Sequence, residues 1–140
     1  MIAGELYVTG GRTEKTRASS KIATVERYNP SSNAWSSVAA MPQARYGHEA
    51  CEIGGAMYVL GGNLQHTWKY DAGTDTWSEV APIPALRRYP AAYAIGSDIY
   101  VIGGRDNSIV PTTEVYKYSV DSNSWCTVSP MPTPQASEYI

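Results

Sequence analysis

The sequence predicts an all-β chain built from repeated four-stranded units, and three observations carry that prediction. Hydrophobic residues make up 43% of the 140 positions and charged residues 17%, so the chain folds as one ordinary domain. Eleven Tyr and four Trp with no Phe, beside 12 Gly and 9 Pro, favour short strands joined by turns over long helices. Finally, the sequence is self-similar in three registered copies. Gly-Gly pairs follow aliphatic runs at Tyr7–Gly11, Tyr58–Gly62 and Tyr100–Gly104. Each is followed by a Tyr with a Trp seven positions on: Tyr28 and Trp35, Tyr70 and Trp77, Tyr118 and Trp125.

In the middle copy, residues 48–53 form the first strand and 57–60 the second, across a tight Gly54-Gly55 turn. Residues 67–70 make the third strand and 77–80 the fourth, joined through residues 71–75. Six residues past each Trp lies an apolar-Pro pair, Met41-Pro42, Ile83-Pro84 and Met131-Pro132, between one copy's last strand and the next copy's first. There no ladder N–H is lost. Three residues past the Pro come Arg45 and Arg87, with Gln135 in the third copy. Trp to the next Gly-Gly is a constant 27 residues, whereas Gly-Gly to the next Tyr is 17, then 8, then 14. All length variation therefore falls in the loop from second to third strand, as expected of an exposed binding loop. The repeats run over residues 1–43, 44–85 and 86–133, with 134–140 opening a further first strand.

A lone four-stranded sheet of this size buries too little to be stable, so the copies are expected to pack face to face as propeller blades. The Gly-Gly doublet after an aliphatic strand, the Tyr-x6-Trp spacing and the Met-Pro-x-x-Arg run together resemble Kelch repeats along the full chain. The resemblance implies a Kelch-type β-propeller with three four-stranded blades per chain, where such rings usually hold about six. The last repeat aligns Ile140 with Ala50 and the first aligns Met1 with Glu52, one position short of three whole repeats. The expectation is a homodimer, residues 135–140 of one chain pairing with 4–9 of another, or with a longer parent in the alternative.

Strand parity puts the second-to-third and fourth-to-first loops on one face. Six of the seven Arg are expected there: Arg12, Arg17 and Arg105 in the former, Arg45, Arg87 and Arg88 in the latter. Lys15 joins them, partly opposed by Glu14 and Asp106, while Asp71, Asp75, Asp98 and Asp121 lie on the other side. Guanidinium forks suit carboxylates and phosphates, so an acidic or phosphorylated protein segment is the expected partner. The resemblance to Kelch-type ubiquitin-ligase substrate adaptors implies that Arg12, Asn63, Arg105, Arg45 and Arg87 line this mouth. Tyr46, Tyr89 and His66 add aromatic or hydrogen-bonding contacts. Arg45 and Arg87 recur with the repeat, so a role in holding blade edges stands beside ligand contact. The recurring Trp and Tyr read as blade packing. Trp68, outside the repeat pattern, is expected to pack on an outer strand.

Catalysis finds little support. A copper oxidase site of the kind found in some Kelch-like propellers would need its Cys at a loop beside a Tyr ligand. Cys51 falls within a strand, and His48 and His66 stand alone. Glu49 and Glu52 point to opposite faces of their strand, and no nucleophile elbow or phosphate-cradling loop is present. No cofactor is expected. A metal-dependent or sugar-processing propeller enzyme and an actin-binding structural module remain the alternatives. A net charge of −2 argues against a nucleic-acid-coating protein, and no apolar run is long enough to span a bilayer. Two Cys and no basic-then-apolar leader fit a reduced, cytoplasmic protein.

Overall fold

The computed structural model describes residues 1–14 and 20–135, and its regular elements are eleven strands in three antiparallel sheets. Blade I holds β1 (Leu6–Arg12), β2 (Lys21–Asn29) and β3 (Ala34–Val38) in that order. Blade II holds β4 (His48–Ile53), β5 (Ala56–Gly61), β6 (Thr67–Asp71) and β7 (Thr76–Val80). Blade III holds β8 (Ala91–Ile95), β9 (Asp98–Ile102), β10 (Val115–Ser119) and β11 (Ser124–Val128). The strands of blade II lie within one residue of the positions expected from the repeat.

Among the described residues, blade I has three strands rather than four. Ahead of β1, Ile2 bridges Glu5 around Ala3 and Gly4, with φ of 51° and 80°. The same hairpin joins Ile53 and Ala56 around Gly54 and Gly55, with φ of 60° and 82°. The strand expected over 135–140 falls, beyond Gln135, outside the described residues.

Side-chain alternation along each second strand fills the spaces between blades. Met57 and Val59 of β5 face blade I, where they bury with Val25, Met41, Trp68 and Tyr70. Tyr58 and Leu60 of the same strand face blade III, where they bury with Ile83, Ile99, Val101, Tyr116 and Tyr118. First strands β4 and β8 pack together, and Gly47 O accepts Tyr89 N–H at 2.8 Å, so these strands form the inner rim of the blades.

The Tyr-x6-Trp spacing sets two rings directly opposite across the third and fourth strands, with centroids 5.0 Å apart for Tyr70–Trp77 and 5.1 Å for Tyr118–Trp125. The Trp77 indole N–H donates to Ala39 O, and that of Trp125 to Ala81 O, both at 2.8 Å. The carboxylate of Asp75 accepts Tyr70 O–H at 2.7 Å and Ala39 N–H at 2.9 Å. Asn123 repeats this with Tyr118 O–H and Ala81 N–H. Asn33, Asp75 and Asn123 all have positive φ (53°, 52° and 47°), a conformation Asn and Asp tolerate better than other side chains. Blades II and III each latch to the one before through a Trp, a Tyr and one turn residue.

The Gly-Gly doublets let another backbone approach. The second glycine donates its N–H to the carbonyl of the turn that leaves the blade: Gly11 to Arg45, Gly62 to Arg87 and Gly104 to Gln135, each at 2.7 Å. A Cβ on Gly62 would lie 2.3 Å from Tyr46 O, and one on Gly103 2.3 Å from Gln135 O. Gly62→Ala is therefore expected to lower unfolding free energy by at least about 2 kcal/mol more than Gly54→Ala. Both glycines have positive φ, but a Cβ on Gly54 meets nothing within 4 Å. Urea denaturation of the two variants checks this, and equal losses would contradict the close-approach argument.

Candidate functional site

The loops leaving the second and fourth strands meet at one end of the blades, as strand parity requires. Tyr46 and Asn63 hold each other there: Asn63 Oδ1 accepts Tyr46 N–H at 3.0 Å, and Asn63 N–H reaches Tyr46 O at 3.3 Å. One blade on, Arg88 and Arg105 occupy the same two positions and exchange both backbone hydrogen bonds, at 2.9 and 2.7 Å. Two guanidinium-bearing residues are thereby fixed side by side. The Arg12 guanidinium lies over the Tyr46 ring, 3.5 Å from its centroid, a cation–π contact that orients its plane.

Two depressions open at this rim. One, of about 430 Å³, is lined by Gly11, Arg12, Tyr46, Gly47 and Tyr89. The other, of about 680 Å³, is bounded by Asn63, Gln65, His66, Leu86, Arg88 and Asn107 among others. Arg12, Tyr46 and Tyr89 are thus brought together at one, and Asn63, His66 and Arg88 at the other. Arg17 lies outside the described residues. Leu86 and Asn107 were not singled out from the sequence, although loop parity alone would have placed Asn107 at this rim. Asp106, expected to oppose the arginines, instead accepts Ser108 and Val110 N–H at 2.9 and 3.0 Å and caps its own loop.

Arg45 and Arg87, expected among the contact residues, turn away from solvent. Arg45 is fully buried; its guanidinium donates to Val59 O at 3.0 Å and to Leu64 and His66 carbonyls, and sits 4.4 Å above the Trp68 ring. Burial pulls its pKa down to about 10, so it stays charged at neutral pH. Arg87, 5% exposed, donates to the Glu114 carboxylate and to Tyr116 Oη at 3.0 Å. Both side chains cross from the turn leaving one blade into the next blade, so they act as bolts and present no face to a ligand. Trp68 packs, as expected, but on β6, third of the four strands rather than the outermost, and is 3% exposed beneath Arg45.

His66 stacks on Trp68 at 6.0 Å between centroids, and its Nδ1 lies 2.8 Å from Glu79 Oε1. His48 is held by Thr9, with Nε2 at 3.0 Å from Thr9 O and 2.9 Å from its Oγ1. Burial, aided by the Arg45 charge, brings its pKa down to about 4. Burial raises the Cys51 thiol to about 11, which keeps it protonated and unreactive. Among the described residues no three His, Cys, Asp or Glu side chains converge as a metal site requires.

Radially packed antiparallel blades latched in sequence define a β-propeller unit. The chain belongs to the Kelch-repeat family: the model of the KLHDC2/KLHL20/DRC7 Kelch-repeats domain matches residues 1–139. It is 37% identical over 67 residues to human Kelch repeat and BTB domain-containing protein 3, covering 48% of this chain and 11% of that protein. Similarity to human Kelch-like protein 26 is 39% over 62 residues, covering 44% of this chain and 9% of that protein. The chain thus spans about a tenth of the curated relatives it matches. The solved structure of YjhT superposes with a TM-score of 0.83 at 19% identity, covering 97% of this chain and 52% of that one. That likeness concerns the fold.

Two outcomes follow from these environments. Arg45→Ala leaves three carbonyls without their donor and is expected to cost about 3 kcal/mol, against less than about 1 kcal/mol for Arg88→Ala. Equal losses in urea denaturation would contradict the bolt assignment. His48 folds with its pKa lowered, so the unfolded chain binds the extra proton. Its contribution is complete above pH 6.5 and is lost as pH falls towards about 4. Asp75 and Glu114, held below their ordinary range by Tyr70 and Tyr116 hydrogen bonds, lose their contributions only below about pH 4.5. The His48 contribution should therefore fall by about 2 kcal/mol between pH 7 and 5, opposed in part by Glu49, whose burial raises its carboxyl pKa, and His48→Gln should remove the His48 slope.

Proposed function

We propose that this chain is a non-catalytic protein-interaction module that takes acidic or phosphorylated peptide segments at the rim carrying Arg12, Arg88 and Arg105. The observation that carries the reading is the Arg88–Arg105 backbone pairing, which holds two fork-shaped cation donors on adjacent strand ends. Tyr46, Tyr89, Asn63 and His66 supply the aromatic and polar surround, and Arg17 belongs to the same reading.

Membership of the Kelch-repeat family, with relatives named as Kelch and BTB-domain proteins, supports a substrate-recognition role of the ubiquitin-ligase-adaptor kind. In this reading the protein works in the cytoplasm as a homodimer, needs no cofactor, and binds neither nucleic acid nor membrane. Among the described residues, no helix is long and apolar enough to cross a bilayer.

The test is fluorescence anisotropy with turn-forming peptides bearing Asp/Glu or phosphoserine, against Asn/Gln or Ser counterparts. Acidic peptides should bind at least about tenfold more tightly, and Arg88→Ala and Arg105→Ala should each weaken them about tenfold. Affinity should also fall with added salt. Equal binding of both peptide sets, or binding indifferent to both substitutions, would overturn the proposal.

A further inference from the structure

The two outward faces of the three-blade unit are the two halves of one interface that the unit already makes twice. In blades II and III, the leading positions of the second strand are sealed by the preceding blade: Met57 and Val59 are 5% and 0% exposed, Ile99 and Val101 0% and 1%. The same positions in blade I are Leu6 and Val8, which are 47% and 52% exposed. Their register is identical, since Leu6, Met57 and Ile99 stand opposite Tyr28, Tyr70 and Tyr118. Trp35, the counterpart of the latched Trp77 and Trp125, is 57% exposed.

The trailing face of blade III is open in the complementary way. Cys51 and Ile53 of β4 bury towards blade III. Forty-two positions later their counterparts, Tyr93 and Ile95 of β8, are 63% and 66% exposed. Ser129 occupies the position of Ala39 and Ala81, whose carbonyls accept the Trp indole and whose N–H groups meet the turn residue. An incoming blade III thus carries a carbonyl for Trp35 Nε1 and an N–H for Asn33 Oδ1. Its departing turn ends in Gln135, whose carbonyl already accepts Gly104 N–H as that of Arg45 accepts Gly11 N–H. The position met by the Arg45 and Arg87 bolts is Trp68 or Tyr116 in the other blades. In blade I it is Glu26, an acceptor suited to an amide.

We propose that the Leu6–Val8–Trp35 face of blade I docks the Tyr93–Ile95–Ser129 face of blade III from a second copy of this chain. A second copy is the occupant because one sequence carries both cognate faces, and because two copies form the contact twice and so close on themselves. This chain covers 52% of the YjhT propeller, so about as much propeller again is what a ring of that kind requires. The inference deepens the homodimer part of the functional reading and is independent of the acidic ligand, which the anisotropy experiment tests separately.

Light scattering after size exclusion should give about 30 kDa for the 15.2 kDa chain. Leu6→Asp/Val8→Asp on the leading face, and Tyr93→Asp/Ile95→Asp on the trailing face, should each give about 15 kDa with unchanged circular dichroism. These positions are exposed within one chain, so the blades themselves should persist. Mixing the two variants should raise the average mass above that of either alone, because one of the two contacts in a mixed pair is then unaltered on both sides. A monomeric or polydisperse wild-type chain would overturn the proposal and assign these faces to other blades of a longer protein. A dimer untouched by both variants would overturn it equally.

Discussion

The fold depends on one hydrogen bond made three times, from the second glycine of each doublet to the carbonyl of the turn leaving the same blade. At 2.7 Å, and with atoms where a Cβ on the doublet would sit, this contact admits no other residue pair. It anchors the main chain of residue 45 or 87 to the blade just completed, while the side chain of that residue reaches into the blade to come. Blade-to-blade pitch is therefore set by a single residue whose two ends are bound on opposite sides of a seam. A charged side chain can be buried there because each guanidinium meets several acceptors: carbonyls around Arg45, a carboxylate and a phenol around Arg87. The Trp and Tyr latch closes the same seam from its other end.

The repeat made much of this legible before any coordinates. Strand positions, blade packing and the structural role of the recurring Trp residues follow from spacing, because spacing reports which residues share a face. Side-chain direction at the rim does not follow from it. Parity assigns Arg45, Arg87 and Arg88 to one end of the blades, but whether a guanidinium faces solvent depends on acceptors waiting inside. Those acceptors are mostly backbone carbonyls, at Val59, Leu64 and His66, which no side-chain pattern displays. Trp68 escaped for a related reason: it fills the place under Arg45 that Tyr116 fills under Arg87, so its equivalence is visible only in the register.

Length variation acquires a physical meaning in the same frame. The second-to-third loop of blade II is the shortest of the three, with 8 residues from Gly62 to Tyr70. That short loop, Asn63 to His66, forms one wall of the 680 Å³ depression, and residues 84–86 with Arg88 and Asn107 form the rest. The longer loop of blade III is stiffened by Asp106, whose carboxylate and carbonyl together hold Ser108, Ile109 and Val110. Relief at the rim thus comes from unequal loops on equal blades, which is how one scaffold can present different surfaces without disturbing its core.

The recognition proposed for this rim would be coupled to blade packing through geometry. The contacts that shape the rim are made across seams: Arg12 of blade I lies on Tyr46 at the start of blade II, and Tyr89 at the start of blade III donates to Gly47. A ligand that spans such contacts senses the angle between blades as well as the residues upon them. It would therefore favour the closed, latched arrangement over any splayed one, and stabilise the seams by an amount set by its own affinity. The bolts and the latches close the same seams from which the half-buried rim arginines project.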